Sequence, residues 1–195
     1  MCGILHSKKF QILLYIPLCA HPEHVEGFLR ALEETLQHVQ GERGEEMMGL
    51  KKWRANMKIA IGADHRGFLH KEFIKKHMPT IEWIDVGTES EERTDYPLFS
   101  DKVVDLIVTY AVEYGVLICG TGGGMAIAAN RYKNMYAVVA WNKEVAQRCK
   151  QEDNANILVL PSDFIAYDDS VTIVNAWLEQ DFKGGRYAER IAMIG

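Results

Sequence analysis

From residue 57 onward, short apolar runs alternate with stretches in which apolar residues recur every three or four positions. The runs 58–62 (KIAIG), 82–86 (EWIDV), 116–119 (VLIC), 136–140 (YAVVA) and 157–160 (ILVL) are brief and rich in β-branched side chains, which marks them as buried strands. Residues 68–77, 98–114, 125–132, 143–151 and 169–178 carry the helical spacing instead. Strands separated by helices imply βαβ units, and these imply a parallel sheet covered by helices on both faces. The expectation is an α/β fold built on a five-stranded parallel sheet. In such sheets a ligand binds beyond the carboxyl ends of the strands, near the point where strand order reverses.

The first 56 residues follow another pattern. Val25, Phe28, Leu29, Leu32, Leu36 and Val39 predict one amphipathic helix over 22–40, with Pro22 in its first turn. A polar, glycine-containing linker starts at Gly41. Lys8 and Lys9 precede an apolar run that imitates a secretory signal, but Gln11 and Pro17 interrupt it, and it falls short of the ~20 apolar residues that span a bilayer. Cys19, His21 and His24 lack a fourth partner at metal-ligand spacing. The chain therefore divides into an N-terminal extension and linker, 1–56, and a domain, 57–195, that begins cleanly at Met57. The extension is expected to be dispensable, or to lie upstream of the true start.

Composition narrows the classes. With 48% hydrophobic and 25% charged residues over 195 positions, disorder and collagen are excluded and a packed core is affordable without staples. Four cysteines with no Cys-x-x-Cys pair argue against a zinc ribbon or a disulfide framework and fit a reducing, cytoplasmic compartment. The net charge of -5 disfavours a nucleic-acid partner, and all of it falls after residue 56, where acidic and basic residues stop balancing. A small-molecule enzyme is the leading expectation.

The strongest local signal is Cys119 followed by Gly120, Thr121, Gly122, Gly123 and Gly124 at a strand-to-helix junction. Glycines leave the backbone N–H groups open, so the segment makes a cradle for a phosphate or an enediolate oxygen. No Gly-Lys-Ser/Thr follows, which excludes a Walker loop, and neither Gly-x-Gly frame finds its third glycine. Cys119 beside these amides is expected to have a thiol pKa below ~8.5 and to act as base or nucleophile. Asp64, His65 and Arg66 end the first strand at the same sheet edge; Asp64 and His65 suit a sugar-phosphate reader, although Asp64 can equally cap the next helix. Arg186 and Arg190 lie four residues apart, on one helical face suited to phosphate. Cys149, His70 and His77 are expected to be structural or surface residues.

Taken together, Asp64 to Phe68, Glu92 to Pro97, Cys119 to Gly122 through Ala128-Ala129-Asn130, Asn154 to Leu158 and Gly184-Gly185-Arg186 resemble type B ribose-5-phosphate isomerase, whose wider family includes the galactose-6-phosphate isomerase subunits. The resemblance covers residues 57–195 and none of 1–56. It implies a Rossmann-like three-layer fold and interconversion of ribose 5-phosphate and ribulose 5-phosphate without metal or cofactor. It also implies a homodimer, or a dimer of such dimers, with its sites at the interface and no nucleic-acid or membrane partner. Carried over, Cys119 is the base with Thr121 beside it, and Gly120 to Gly124 hold the enediolate. Asp64 and His65 bind the sugar, and Arg186 and Arg190 bind its phosphate. The family has His-Asn where this chain has Glu152-Asp153, and that histidine opens the furanose ring. Ring opening is therefore expected to be assisted by Glu152 or by His65, or to occur spontaneously in the substrate, with Asp153 at a substrate-binding position. A carboxyl fills the acid's role only when its pKa is raised well above ~4. A sugar-phosphate-binding paralogue without catalysis, and isomerases of allose 6-phosphate or galactose 6-phosphate, are the alternatives.

Overall fold

The computed structural model describes residues 57–194. The helix expected over 22–40, the linker and the Cys19, His21 and His24 group lie outside the described residues.

Among the described residues, the five expected strands and five expected helices are present, with a sixth, short helix that carries the arginine pair. In chain order the elements are β1 (Lys58–Ala63), α1 (Phe68–His77), β2 (Glu82–Asp85), α2 (Tyr96–Val108), β3 (Tyr114–Cys119), α3 (Gly123–Ala129), β4 (Ala137–Val139), α4 (Lys143–Asp153), β5 (Ile157–Pro161), α5 (Tyr167–Leu178) and α6 (Arg186–Ala192). All strand pairs are parallel, in the order β2-β1-β3-β5-β4. From β1 the chain adds β2 on one side and β3, β5 and β4 on the other, so the junction of β1 and β3 is the switch point.

Alternation along the strands divides the core in two. Ile59, Ile61, Val116, Ile118, Leu158 and Leu160 face α1, α4 and α5, where the fully buried Trp177 closes the layer. Ala60, Leu117, Ile157 and Val159 face α2 and α3. This is the three-layer α/β fold expected from the sequence.

Several boundaries move, each for a local reason. Helix α2 starts at Tyr96, not 98, because proline is tolerated in a first helical turn and Pro97 sits there. It stops at Val108 rather than running to 114, since Tyr110 takes a left-handed conformation with φ 57°. Strand β3 then begins at Tyr114, two residues before the apolar run, because Tyr114 pairs with Ile59. Helix α3 starts inside the glycine run at Gly123 and ends at Ala129, short of the expected 132.

Candidate active site

The loops after β1, β3 and β5 meet at the carboxyl edge of the sheet beside the switch point. Asp64 follows β1 and is buried. One carboxylate oxygen, Oδ1, accepts from the Arg66 and Gly67 amides at 2.9 and 3.1 Å and shapes the turn that leads into α1; the N-cap of that helix is Gly67, so Asp64 is not its cap. His65 is oriented by Thr94: the His65 amide donates to Thr94 Oγ1 at 3.2 Å, and the Thr94 amide donates to His65 Nδ1 at 3.3 Å. An Nδ1 that accepts leaves the ring proton on Nε2, which makes Nε2–H a donor toward a ligand.

Cys119 ends β3 with 5% exposure, and the glycine run turns directly into α3. Gly122 has φ 74°, the left-handed region that a Cβ disfavours, and this bend turns the loop back on Cys119. Tyr96 lies against Gly124, where an added Cβ would approach Tyr96 Cζ to 2.8 Å. The amides of Met125, Gly122 and Thr121 act to lower the Cys119 thiol pKa, as the sequence suggested. The net direction is nevertheless upward. Burial is the largest influence, and the negative charge of Asp64 adds to it. The expected depression is therefore corrected: the thiol is held above its ordinary value. Cys149 is also buried, pushed up to about 12 chiefly by burial, in keeping with a structural role.

The remaining expected site residues lie elsewhere. Glu152 and Asp153 end α4, just before β5 starts at Ile157. Ile157 pairs with Gly115, whereas Cys119 pairs with Pro161. The two groups are thus separated by four residues of β-structure, roughly 13 Å along the strands. With Tyr187 and Arg190 of α6 and the 130–138 segment, Glu152 and Asp153 line a cleft of about 630 Å³. Arg186 does not line it; its Nη2 donates to the Tyr187 hydroxyl at 3.0 Å. Lys183 Nζ stands 3.8 Å from Glu152 Oε1. The Asp153 carboxyl is displaced upward, first by burial and then by the charge of Glu152.

The motif asparagines build the cleft wall. Asn130 bonds both backbone groups of Ala137, at 2.7 and 2.8 Å, and so imitates a strand partner. Asn156 accepts from the Tyr136 amide at 2.8 Å and donates to the Asn134 carbonyl at 2.9 Å. Together they fix the α3–β4 connection over the end of α4.

With this geometry in place, residues 59–194 match the sequence profile described as Ribose/Galactose Isomerase. The chain belongs to the ribose/galactose isomerase family. It is similar to ribose-5-phosphate isomerase B of Escherichia coli strain K12, with 40% identity over 139 residues, covering 70% of this chain and 93% of the relative. Among solved structures it is similar to a ribose 5-phosphate isomerase from Thermotoga maritima, at TM-score 0.69 and 43% identity over 71% of this chain and 97% of that one. It is also similar to ribose-5-phosphate isomerase B from Mycoplasma genitalium with bound ribulose-5-phosphate, at TM-score 0.67 and 35% identity over 71% and 93% of the two chains.

Within this isomerase family fold, sequence reasoning overlooked three contributors to the site. Thr94 steers His65 from 29 positions away. Tyr96 backs the glycine run, and Asp163 ion-pairs with Arg66 across it. The only sequence signal for the first two is their place in the Glu92 to Pro97 motif.

Proposed function

We propose that this chain interconverts ribose 5-phosphate and ribulose 5-phosphate through an enediolate, with Cys119 as base. The observation that carries the reading is the Cys119–glycine cradle beside Asp64 and His65 at the switch point of the sheet, in a member of the isomerase family. Ring opening places a proton on the furanose ring oxygen while the anomeric hydroxyl loses its own, giving the open aldehyde. Cys119 Sγ, as thiolate, then takes the proton from C2. The electron pair left behind forms the C1–C2 double bond, and negative charge moves to O1, where the amides of the 120–124 segment receive it. The same proton returns from sulfur to C1, and the hydroxyl proton passes from O2 to O1, leaving the ketose. Asp64 and His65 Nε2–H hold sugar hydroxyls, and Thr121 stands beside the base.

A homodimer is part of the proposal. A five-carbon sugar phosphate cannot touch the cradle and the Glu152–Asp153–Arg190 cleft of one chain, because the strands of the sheet lie between them. A second copy supplies its cleft to the first copy's cradle, so that Arg190 and Arg186 reach the phosphate and the Glu152–Asp153 pair reaches the ring oxygen. The upward displacement of Asp153 supports a carboxyl in that acid role, since it keeps its proton to higher pH than an isolated aspartate.

One observation favours a second reading, a sugar-phosphate-binding protein without turnover: the acid pair occupies the place of the family's His-Asn. A coupled assay for ribulose 5-phosphate on purified protein separates the two, with allose 6-phosphate and galactose 6-phosphate run alongside to fix the sugar. Product that disappears in Cys119→Ala supports the isomerase. Binding of ribose 5-phosphate with no product, in both proteins, establishes the alternative.

A further inference from the structure

The Arg66 side chain leaves the loop after β1 and lies on the start of the glycine run after β3. A side chain at 120 would collide with it, the added Cβ coming within 2.6 Å of Arg66 Nη1, so the guanidinium rests directly on the Gly120 backbone. Its Nη2 is ion-paired to Asp163 Oδ2 in the β5–α5 loop. The Asp163 amide in turn donates to the Gly120 carbonyl at 3.0 Å, and the neighbouring Ser162 amide donates to the Cys119 carbonyl at 3.0 Å. The Arg66 amide is itself bound to Asp64 Oδ1. One residue therefore joins the loops after β1, β3 and β5, and Gly120 is enclosed between the guanidinium on its face and the Asp163 amide at its carbonyl.

Planarity is what makes this possible. A guanidinium can lie flat on a peptide while its edge bonds a carboxylate, whereas an ammonium cannot do both. Gly120 begins the segment whose following amides bear on Cys119 Sγ, so any tilt of its peptide redirects them. We propose that the Arg66–Asp163 pair is a clasp that positions the glycine cradle: it holds the Gly120 peptide, and through it the enediolate-binding amides, in register with Cys119. Arg66 acts here as a positioning residue and not as a ligand of the sugar phosphate. The proposal rests on the isomerase reading for its kinetic consequences, but not for its structural ones.

Two measurements test it, one of which needs no turnover. In steady state, Arg66→Ala lowers kcat by about tenfold to a hundredfold, the scale of a sub-ångström to 1 Å misplacement, with KM within about threefold of the parent. Arg66→Lys recovers only part of the loss. Asp163→Ala in the Arg66→Ala background costs nothing further, because the two side chains work as one unit. A rise of tenfold or more in KM at unchanged kcat overturns the proposal by making Arg66 a substrate ligand, and so does full activity in Arg66→Ala. Independently, the rate of Cys119 alkylation by iodoacetamide is read by peptide mass spectrometry, with the buried Cys149 as internal reference. Cutting the clasp exposes the thiol and raises the Cys119 rate at least threefold relative to Cys149; an unchanged ratio overturns the proposal. If the parent protein forms no ribulose 5-phosphate, the isomerase reading fails and the alkylation ratio still decides the clasp.

Discussion

Lys150 is the most exacting test of the physical picture, because the structure buries a cation beside the proposed acid pair. It is 6% exposed on α4. Its Nζ stands 3.6 Å from the centroid of the Tyr114 ring and 5.2 Å from that of Trp177, and it donates to the Ala155 carbonyl at 3.4 Å. Burial lowers its pKa from 10.5 to about 8, against the opposing pull of Glu113, Cys149 and Asp181. That fall corresponds to about 3 kcal/mol of preference for the neutral amine. The rings return up to about 2 kcal/mol as cation–π attraction, and a methionine in the same place keeps roughly 1 kcal/mol of sulfur–aromatic contact. Lys150→Met is therefore expected to stabilise the fold by about 1–2 kcal/mol at pH 7. The sign of the pH dependence follows from linkage. Between pH 8 and 10.5 the unfolded chain holds a proton that the folded chain has released, so the parent gains stability as pH rises through that window. The variant lacks this gain, and its advantage vanishes by about pH 10. Urea unfolding followed by circular dichroism at pH 7 and at pH 9.5 measures both effects. A variant destabilised by more than about 1 kcal/mol at pH 7, or a difference that does not change with pH, would refute the reasoning.

The remaining expectations concern the chemistry. Cys119→Ala lowers kcat by about 10²- to 10⁴-fold with little change in KM, as loss of a general base does. Because the Cys119 thiol is held above its ordinary value, the thiolate fraction, and with it kcat/KM in the parent, climbs as pH rises from neutral into the alkaline range; a flat or falling profile there argues against Cys119 as the base. Glu152→His combined with Asp153→Asn, which restores the family's pair, raises turnover of ribose 5-phosphate by about tenfold if ring opening limits the rate, read in the same coupled assay. A chain starting at Met57 is expected to keep the kcat and KM of the full sequence; loss of activity on that deletion would give the first 56 residues a part in the fold or site.

The core strands were legible in the sequence because buried parallel strands are short, β-branched and nearly continuous in their hydrophobicity. What shifted were ends that depend on partners. Tyr114 reads as the tail of a helix until its pairing with Ile59 makes it the first residue of β3. Gly123 reads as loop, but the Ala126 amide bonds back to the Gly122 carbonyl and carries the glycine run into α3. The site shows the same division. The cradle and Cys119 were visible because their chemistry is contiguous along the chain. The direction of the thiol shift was not, since burial and the Asp64 charge come from residues brought together only by the sheet. Nor was the Arg66–Asp163 pair, whose members are 97 positions apart. Sequence position pointed to Glu152 as the acid, but the upward displacement of the neighbouring Asp153 carboxyl, which owes part of its shift to the Glu152 charge, was not legible there.

The separation of the cradle from the acid cleft by the length of the strands has a genetic consequence. In the proposed dimer every working site draws one half from each chain, so two different loss-of-function alleles need not fail together. A subunit damaged at Cys119 still lends an intact cleft, and a subunit damaged at Glu152, Asp153 and Arg190 still lends an intact cradle. Mixed from inactive parents, such chains regenerate one complete site in each hybrid pair. Activity returns to about a quarter of the normal level for random association of equal amounts, because half the dimers are hybrids and each has one of its two sites restored.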